Sequence, residues 1–306
     1  MRTRNPIVLV AATLAFVSMP PFAGWPMEKP MATVDWVNGY VRGIGSASAK
    51  PGGNKTLDRL KAIRAAEVVA RRILVETVNG VRVDGERVYG STVKDSSRVQ
   101  GFIRGAQIVR EEVSWEGDTP VATVELRICL FADSPECRKS SALIDALSTE
   151  DRMEPSYVPR VHYGEHPEPA GSGIRPIDTQ HPEAVSYDSS RPVTGLVLKA
   201  EGMRFEREMF PVVVTRDKRG ELLSLYSAKS VSPEFIRTQG VARYADTMKQ
   251  ALSNPRIGDN PLVVTVSGVT RENMLIVLVE GAKAIRETTR YGNNYLSEAK
   301  VVIAGK

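Results

Sequence analysis

LDRLKAIRAAEVVARRILVETVN, running from Leu57 to Asn79, holds no Gly or Pro and is long enough for about six turns of helix. Leu60, Ile63, Val69, Ala70, Ile73, Leu74 and Thr77 recur at approximately helical spacing and predict the buried stripe. Asn54 or Thr56 is placed to cap the start, and Gly80 follows the end. Lys61, Arg64, Arg71 and Arg72 fall largely off the stripe. With Glu67 and Glu76 among them, they read as a solvated face rather than as contact with an anionic surface.

The flanking sequence is strand-like. From Val34, Trp36, Tyr40 and Ile44 share one face, with Val37 and Val41 on the other, until Gly43, Gly45, Gly52 and Gly53 break the pattern. Gly80 to Lys94 is punctuated by glycine and reads as irregular strands around a turn. In Ile108–Trp115, Val109, Val113 and Trp115 alternate with Arg110, Glu112 and Ser114, and Gly117-Asp118 supplies a hairpin turn. Beyond it, Val124, Leu126, Ile128 and Leu130 alternate with Thr123, Glu125, Arg127 and Cys129. An antiparallel sheet with one apolar face needs one covering layer, and the Leu57–Asn79 helix is that layer. Trp115 is expected in the core. Glu111 shares its face, so it belongs at a strand end or beside an arginine.

Residues 138–192 hold seven of the 19 prolines and little periodicity, and read as a linker with one short helical turn over Ser141–Leu147. Patterning resumes at 193. Strands are expected over Val193–Ala200, Pro211–Thr215, Glu221–Tyr226, Leu262–Val269, Met274–Val279 and Lys300–Ala304, with a hairpin at Asp217–Gly220. Ser232-Pro233-Glu234 starts a helix, and Val241, Tyr244, Ala245, Met248, Ala251 and Leu252 continue on helical spacing to Asn254-Pro255. Lys283–Arg290 reads as a short helix. The expected fold is α+β: two small two-layer domains, 32–137 and 193–306, each a mainly antiparallel sheet with a packed helix, joined by the Pro-rich linker 138–192.

Composition sets the class. With 42% hydrophobic and 25% charged residues the chain is globular, neither collagenous nor wholly disordered. Arg2 and Arg4 precede an 11-residue apolar run, Ile7 to Val17, which is half the length of a membrane span and reads as an export signal. Cleavage after Ala23 makes residues 1–23 the signal peptide, although Pro21 departs from the small-residue rule. No cysteine follows the run, so an acyl anchor is not expected. The only two cysteines, Cys129 and Cys137, predict one disulfide in an exported chain. Closing that short loop is worth roughly 2.6 kcal/mol on a chain-entropy model. The net charge is +5, or +3 without the two signal arginines. No basic run is interleaved with aromatics, so a nucleic-acid partner is not expected.

Motifs for catalysis are weak. His162, His166 and His181 all fall in the linker, where Glu165 and Glu168 accompany them without a rigid scaffold for a metal. Gly52-Gly53-Asn54-Lys55-Thr56 has Asn where a phosphate loop needs Gly before the Lys, and Gly43-Ile44-Gly45 has Ser48 in place of a third Gly. Ser297-Glu298-Ala299-Lys300 matches Ser-x-x-Lys without its companion motifs. Asp84 and Glu86 sit in the glycine-rich loop and are expected in solvent. No catalytic residue, cofactor or metal site follows from these patterns.

Gly39-Tyr-Val-Arg-Gly-Ile-Gly45, Ala62-Ile-Arg-Ala-Ala-Glu-Val-Val-Ala70, Val75-Glu-Thr-Val-Asn-Gly-Val81 and Gly101-Phe-Ile-Arg-Gly-Ala106 together resemble one envelope family. Residues 34–131 are similar to the LPP twenty-kilodalton lipoprotein family, itself similar to the N-terminal domain of flagellar assembly protein T and to flagellar outer-membrane lipoprotein P. Thr194–Val197 and Gly258–Leu262 resemble a companion domain of some larger members. The resemblance implies a non-catalytic envelope scaffold, in some members part of rings around a flagellar motor. The expected partners are envelope or basal-body proteins or a second copy. The expected location is the periplasm, with any outer-membrane association made through partners. Arg110, Glu112, Thr123, Glu125 and Arg127, on the open sheet face, are the candidate interaction surface. The competing expectation is a soluble periplasmic module that binds a peptide, glycan or small ligand in a pocket built from the glycine-rich loops.

Overall fold

The computed structural model describes residues 31–93, 101, 103–133, 142–147, 185–290 and 294–305. The histidines and Cys137 lie outside the described residues. So does the expected signal segment, 1–23.

The expected first strand is a hairpin: β1, Ala32–Asp35, turns through Gly39 at φ 75° into β2, Tyr40–Ser48. Helix α1 spans Lys55–Asn79, and the Leu57 amide donates to Asn54 Oδ1 (3.1 Å), so that of the two expected caps Asn54 serves and Thr56 lies inside the helix. A short α2, Tyr89–Thr92, follows an Arg82–Val88 bridge. Strands β3, Gln107–Glu116, and β4, Thr119–Cys129, form the expected hairpin, with Gly117 at φ 61°. The first sheet is antiparallel in the order β1-β2-β4-β3, with α1 across β2 and β4.

The buried stripe of α1 shares only Ala70 and Leu74 with the expected one. Ala62, Ala66, Ala70, Leu74 and Val78 face the sheet, whereas Leu57, Leu60 and Val68 are exposed, Val68 by 67%. The strand beneath decides this. A Cβ on Gly43 would lie 2.9 Å from the Ala70 carbonyl oxygen, and one on Gly45 would lie 2.4 Å from that of Ala66. Two glycines facing Ala66 and Ala70 let the backbones approach more closely than larger side chains there would allow, and Leu57, Leu60 and Val68 are turned out.

In the second half, β5, Val185–Ser186, and β6, Gly195–Lys199, precede the β7/β8 hairpin, Val213–Arg216 and Leu222–Tyr226. Helix α3, Pro233–Gln239, stops at Gly240 (φ 71°). The expected helix through Tyr244 is therefore broken. Arg243–Ala245 is strand β9, and α4 covers only Met248–Leu252. Strands β10, Pro261–Val269, and β11, Leu275–Val277, helix α5, Val279–Arg290, and strand β12, Val301–Ala304, complete the chain. The sheet order is β8-β7-β11-β10-β6-β12-β9, with β5 also on β10.

The fold is α+β, but this second sheet is mixed rather than mainly antiparallel. β6 runs parallel to β10 and β12, β9 to β12, and β7 to β11. The helical and irregular connections between these strands carry the chain back for parallel pairing.

From Met31 onward the described residues form one compact unit, and one hydrophobic cluster draws side chains from both sheets. The Met209 and Phe210 amides donate to the Arg82 and Val83 carbonyls (3.1 and 2.9 Å), and Trp36 meets Tyr244 edge-on at 5.7 Å. Phe131, just past β4, lies against Gly240, where a Cβ would stand 2.4 Å from its ring. The expected linker is structured in part. Leu143–Ala146 forms a buried turn whose Leu143 carbonyl accepts the Tyr89 hydroxyl (2.9 Å), and Val185–Ser186 pairs with β10. Leu143, Ile144 and Leu147 are apolar enough to fill the space beside Leu130. Among the described residues, no helix is long and apolar enough to cross a membrane.

Candidate functional site

The register places all five expected surface residues on the face of the first sheet opposite α1. Arg110 stands opposite Glu125 and Glu112 opposite Thr123; across β2, Ile44 faces Glu125 and Arg42 faces Arg127. Arg110 donates to Glu112 through Nε and Nη2, both at 2.6 Å, and this bond holds the Glu112 carboxyl below its ordinary value. Arg127 Nε donates to Glu125 Oε1 (3.0 Å), and its guanidinium covers the Tyr40 ring at 4.5 Å. The Ser46 and Thr123 hydroxyls meet at 2.9 Å.

Glu125 is not outward in the expected sense, being only 5% exposed. It lies between Ile44 and Arg110 on a central strand, under the Arg127 side chain. Cys129 is also buried, because Ala142 bridges to it and the 142–147 turn covers that end of the face. Cys129 is disulfide-bonded; the expected partner, Cys137, lies outside the described residues. Trp115 departs from the expected core position, at 39% exposed with Lys55 Nζ 5.6 Å from its ring centre, since β3 is an edge strand. Glu111 pairs with Arg59 at 3.7 Å, one of the two places expected for it.

The weak motifs resolve locally. Ser297 Oγ donates to the Asn294 carbonyl (2.9 Å), and Lys300 Nζ pairs with Glu298 (2.6 Å) rather than with the serine. Gly52 and Asn54 serve the start of α1: the Gly52 amide donates to Asp58 Oδ2 (2.6 Å), and Asn54 is the cap.

A polar junction where the 82–87 loop meets the second sheet was not expected. Asp84 is buried, 2% exposed, against the expectation of solvent. Its Oδ1 accepts the Glu86 and Arg87 amides (3.1 and 2.9 Å), and Oδ2 accepts Arg87 Nε (2.7 Å). A Cβ on Gly85 would lie 1.9 Å from the Glu272 carbonyl oxygen, so the loop tip rests on the 270–274 turn. Beside it, Glu208 is 3% exposed, with Asn273 Nδ2 donating to Oε2 (2.9 Å). Burial pushes its carboxyl up to about 8, Asn273 opposing, with nearby Asp84 adding to the rise and Arg82 resisting it. Tyr244 donates its hydroxyl to the Glu208 carbonyl (2.8 Å), and burial raises that phenol further.

An open pocket of about 470 Å³ adjoins this cluster, lined by polar Arg82, Arg204, Glu206, Thr270, Arg271 and Asn273 and by apolar Met203, Phe205 and Val269. A local signal for Asp84 was present in the sequence, Asp-Gly followed by Arg87, which is the composition of a side-chain-closed turn. Glu208 carries no such signal, because its burial comes from chain crossings far apart in sequence.

Residues 195–305 match the family model described as the second domain of Treponema pallidum Tp0624. The match covers about a third of the chain and coincides with the second sheet, β6 to β12. No curated protein matches the chain.

Proposed function

We propose that the protein is an exported structural or assembly component of the bacterial envelope, with no catalytic role and with envelope or flagellar basal-body proteins as its candidate partners. Its resemblance to the LPP twenty-kilodalton lipoprotein family is the basis. The observation that carries it is the contact of Gly43 and Gly45 with Ala66 and Ala70. Gly43, Gly45, Ala66 and Ala70, four of the residues that bear the resemblance, lie where helix and sheet approach most closely, which supports the reading. The face that carries Arg110, Glu112, Thr123 and Arg127, with Glu125 buried beneath Arg127 as its ion-pair support, is the surface for a partner or a second copy. A pairing of Cys129 with Cys137 suits an oxidising periplasm.

Cross-linking purification of a tagged copy from native envelopes, read by mass spectrometry, tests this. Enrichment of basal-body or outer-membrane ring proteins is expected, with loss of that enrichment on charge reversal at Arg110 and Glu112. Recovery as a free monomer without envelope partners would overturn it in favour of a soluble periplasmic binding module. That second reading draws support from the junction pocket.

A further inference from the structure

The junction pocket has an excess of positive charge. Of the four charged residues that line it, three are arginines and one is Glu206. Glu206 is committed to Arg82. Arg82 also donates through Nη2 to the Gly85 carbonyl (2.8 Å), and its Nε is buried without an acceptor. Arg204 and Arg271 are exposed, and among the described residues neither has a carboxylate partner.

The nearby acids do not restore the balance. Asp84 is bound to Arg87, Asp246 to Arg207, and Glu208 is buried behind Asn273 with its carboxyl raised toward the neutral form. Glu272 belongs to the same turn but does not line the pocket.

The remaining wall is apolar. Phe205 stacks on Tyr244, ring centres 6.3 Å apart and planes 24° from parallel, and Met203 and Val269 complete it. Two exposed guanidinium groups without carboxylate partners thus line a pocket that also has an aromatic side, a combination suited to an anion that carries an apolar group. Guanidinium forks match carboxylate and phosphate oxygens in pairs. The volume falls within the range of small-molecule sites.

We infer that this pocket binds a small ligand bearing a carboxylate or phosphate, with the oxyanion held by Arg204 and Arg271 and an apolar group against Phe205. The inference goes beyond the envelope assignment and fails separately from it, since one is read in cells and the other with purified protein.

The test is calorimetric titration of the full exported chain at low ionic strength. The probes are N-acetylphenylalanine, its neutral carboxamide, and inorganic phosphate. The acid is expected to bind at least about tenfold more tightly than the amide, with an affinity that falls as salt rises. Saturable phosphate binding alone identifies a phosphate site, and binding of the acid alone a carboxylate site. The Arg204→Gln/Arg271→Gln double variant is expected to weaken the bound anion at least about tenfold with an unchanged Tm, because both side chains are exposed. Equal binding of acid and amide, unchanged affinity in the double variant, or no saturable binding of either anion would each overturn the inference.

Discussion

A Cβ placed on Gly45 would stand 2.2 Å from the backbone nitrogen of Ala70. That contact is with helix backbone, which cannot swing away as a side-chain tip can. Gly45→Ala must push α1 off the sheet, and overpacking of this kind costs about 1–3 kcal/mol even where side chains can yield. We expect a loss of about 3 kcal/mol or more, read as a fall in the urea midpoint at constant slope. Gly101→Ala is the control: nothing lies within 4 Å of its Cβ position, and a near-neutral effect is expected. Equal effects of the two substitutions would refute the role given to the Gly45–Ala70 approach.

The same contact shows how far the sequence could be read. The helix, its cap at Asn54, the Gly117 hairpin and most strands of the second half are local matters, and local patterning reveals them. Which face of α1 is buried is not local. Leu60, Ile63, Val69 and Ile73 look like core beside Ala70 and Leu74, but the glycines of β2 select the row through Ala62, Ala66 and Ala70 instead. The break at Gly240 was equally hidden, because Val241, Tyr244 and Ala245 keep helical spacing while β9 takes them into parallel pairing with β12. Of the candidate surface, alternation alone placed all five residues on one face. The burial of Glu125 depends on its neighbours across two strands.

Buried Asp84 and half-buried Arg87 form an ion pair at the loop tip. Removing one partner of a fully buried pair typically costs about 3–5 kcal/mol, and water reaching half-buried Arg87 places this pair at or below the lower end. Asp84→Ala is expected to destabilise by that order, whereas the Asp84→Leu/Arg87→Met double replacement should recover part of the loss. A denaturation-based mutant cycle measures the coupling, and strict additivity would show that the two side chains act independently.

Glu208 makes stability depend on pH in an unusual direction. Burial holds its folded-state carboxyl up at about 8, against an ordinary value of 4.5. Between those values the folded chain keeps a proton that the unfolded chain has released. The stabilising contribution is therefore present at low pH, falls as pH rises through that window, and levels off above about 8. Glu208→Gln keeps the acceptor for Asn273 and removes the titration. Its Tm should match the parent near pH 5 and exceed it by several degrees near pH 8.5. Parallel Tm profiles for the two proteins across this range would contradict the assignment.

Phe131 and Gly240 join the two sheets. The ring occupies the space a side chain at 240 would need, Arg243 lies over it at 5.1 Å, and the Asp133 amide donates to the Thr238 carbonyl (2.9 Å). Arg243 also pairs with Asp133, and this compensates a guanidinium that burial drives toward its neutral form. A shared core of this kind couples the unfolding of both halves. Calorimetry should show one transition, with the near-ultraviolet signal of Trp36, which touches Tyr244, following the same curve. Phe131→Ala removes a fully buried ring at a cost of about 3–5 kcal/mol. If the sheets depend on each other, the variant's single transition moves down as a whole. If they are independent blocks, the transition splits, and the half carrying β6 to β12 keeps a midpoint near its original value.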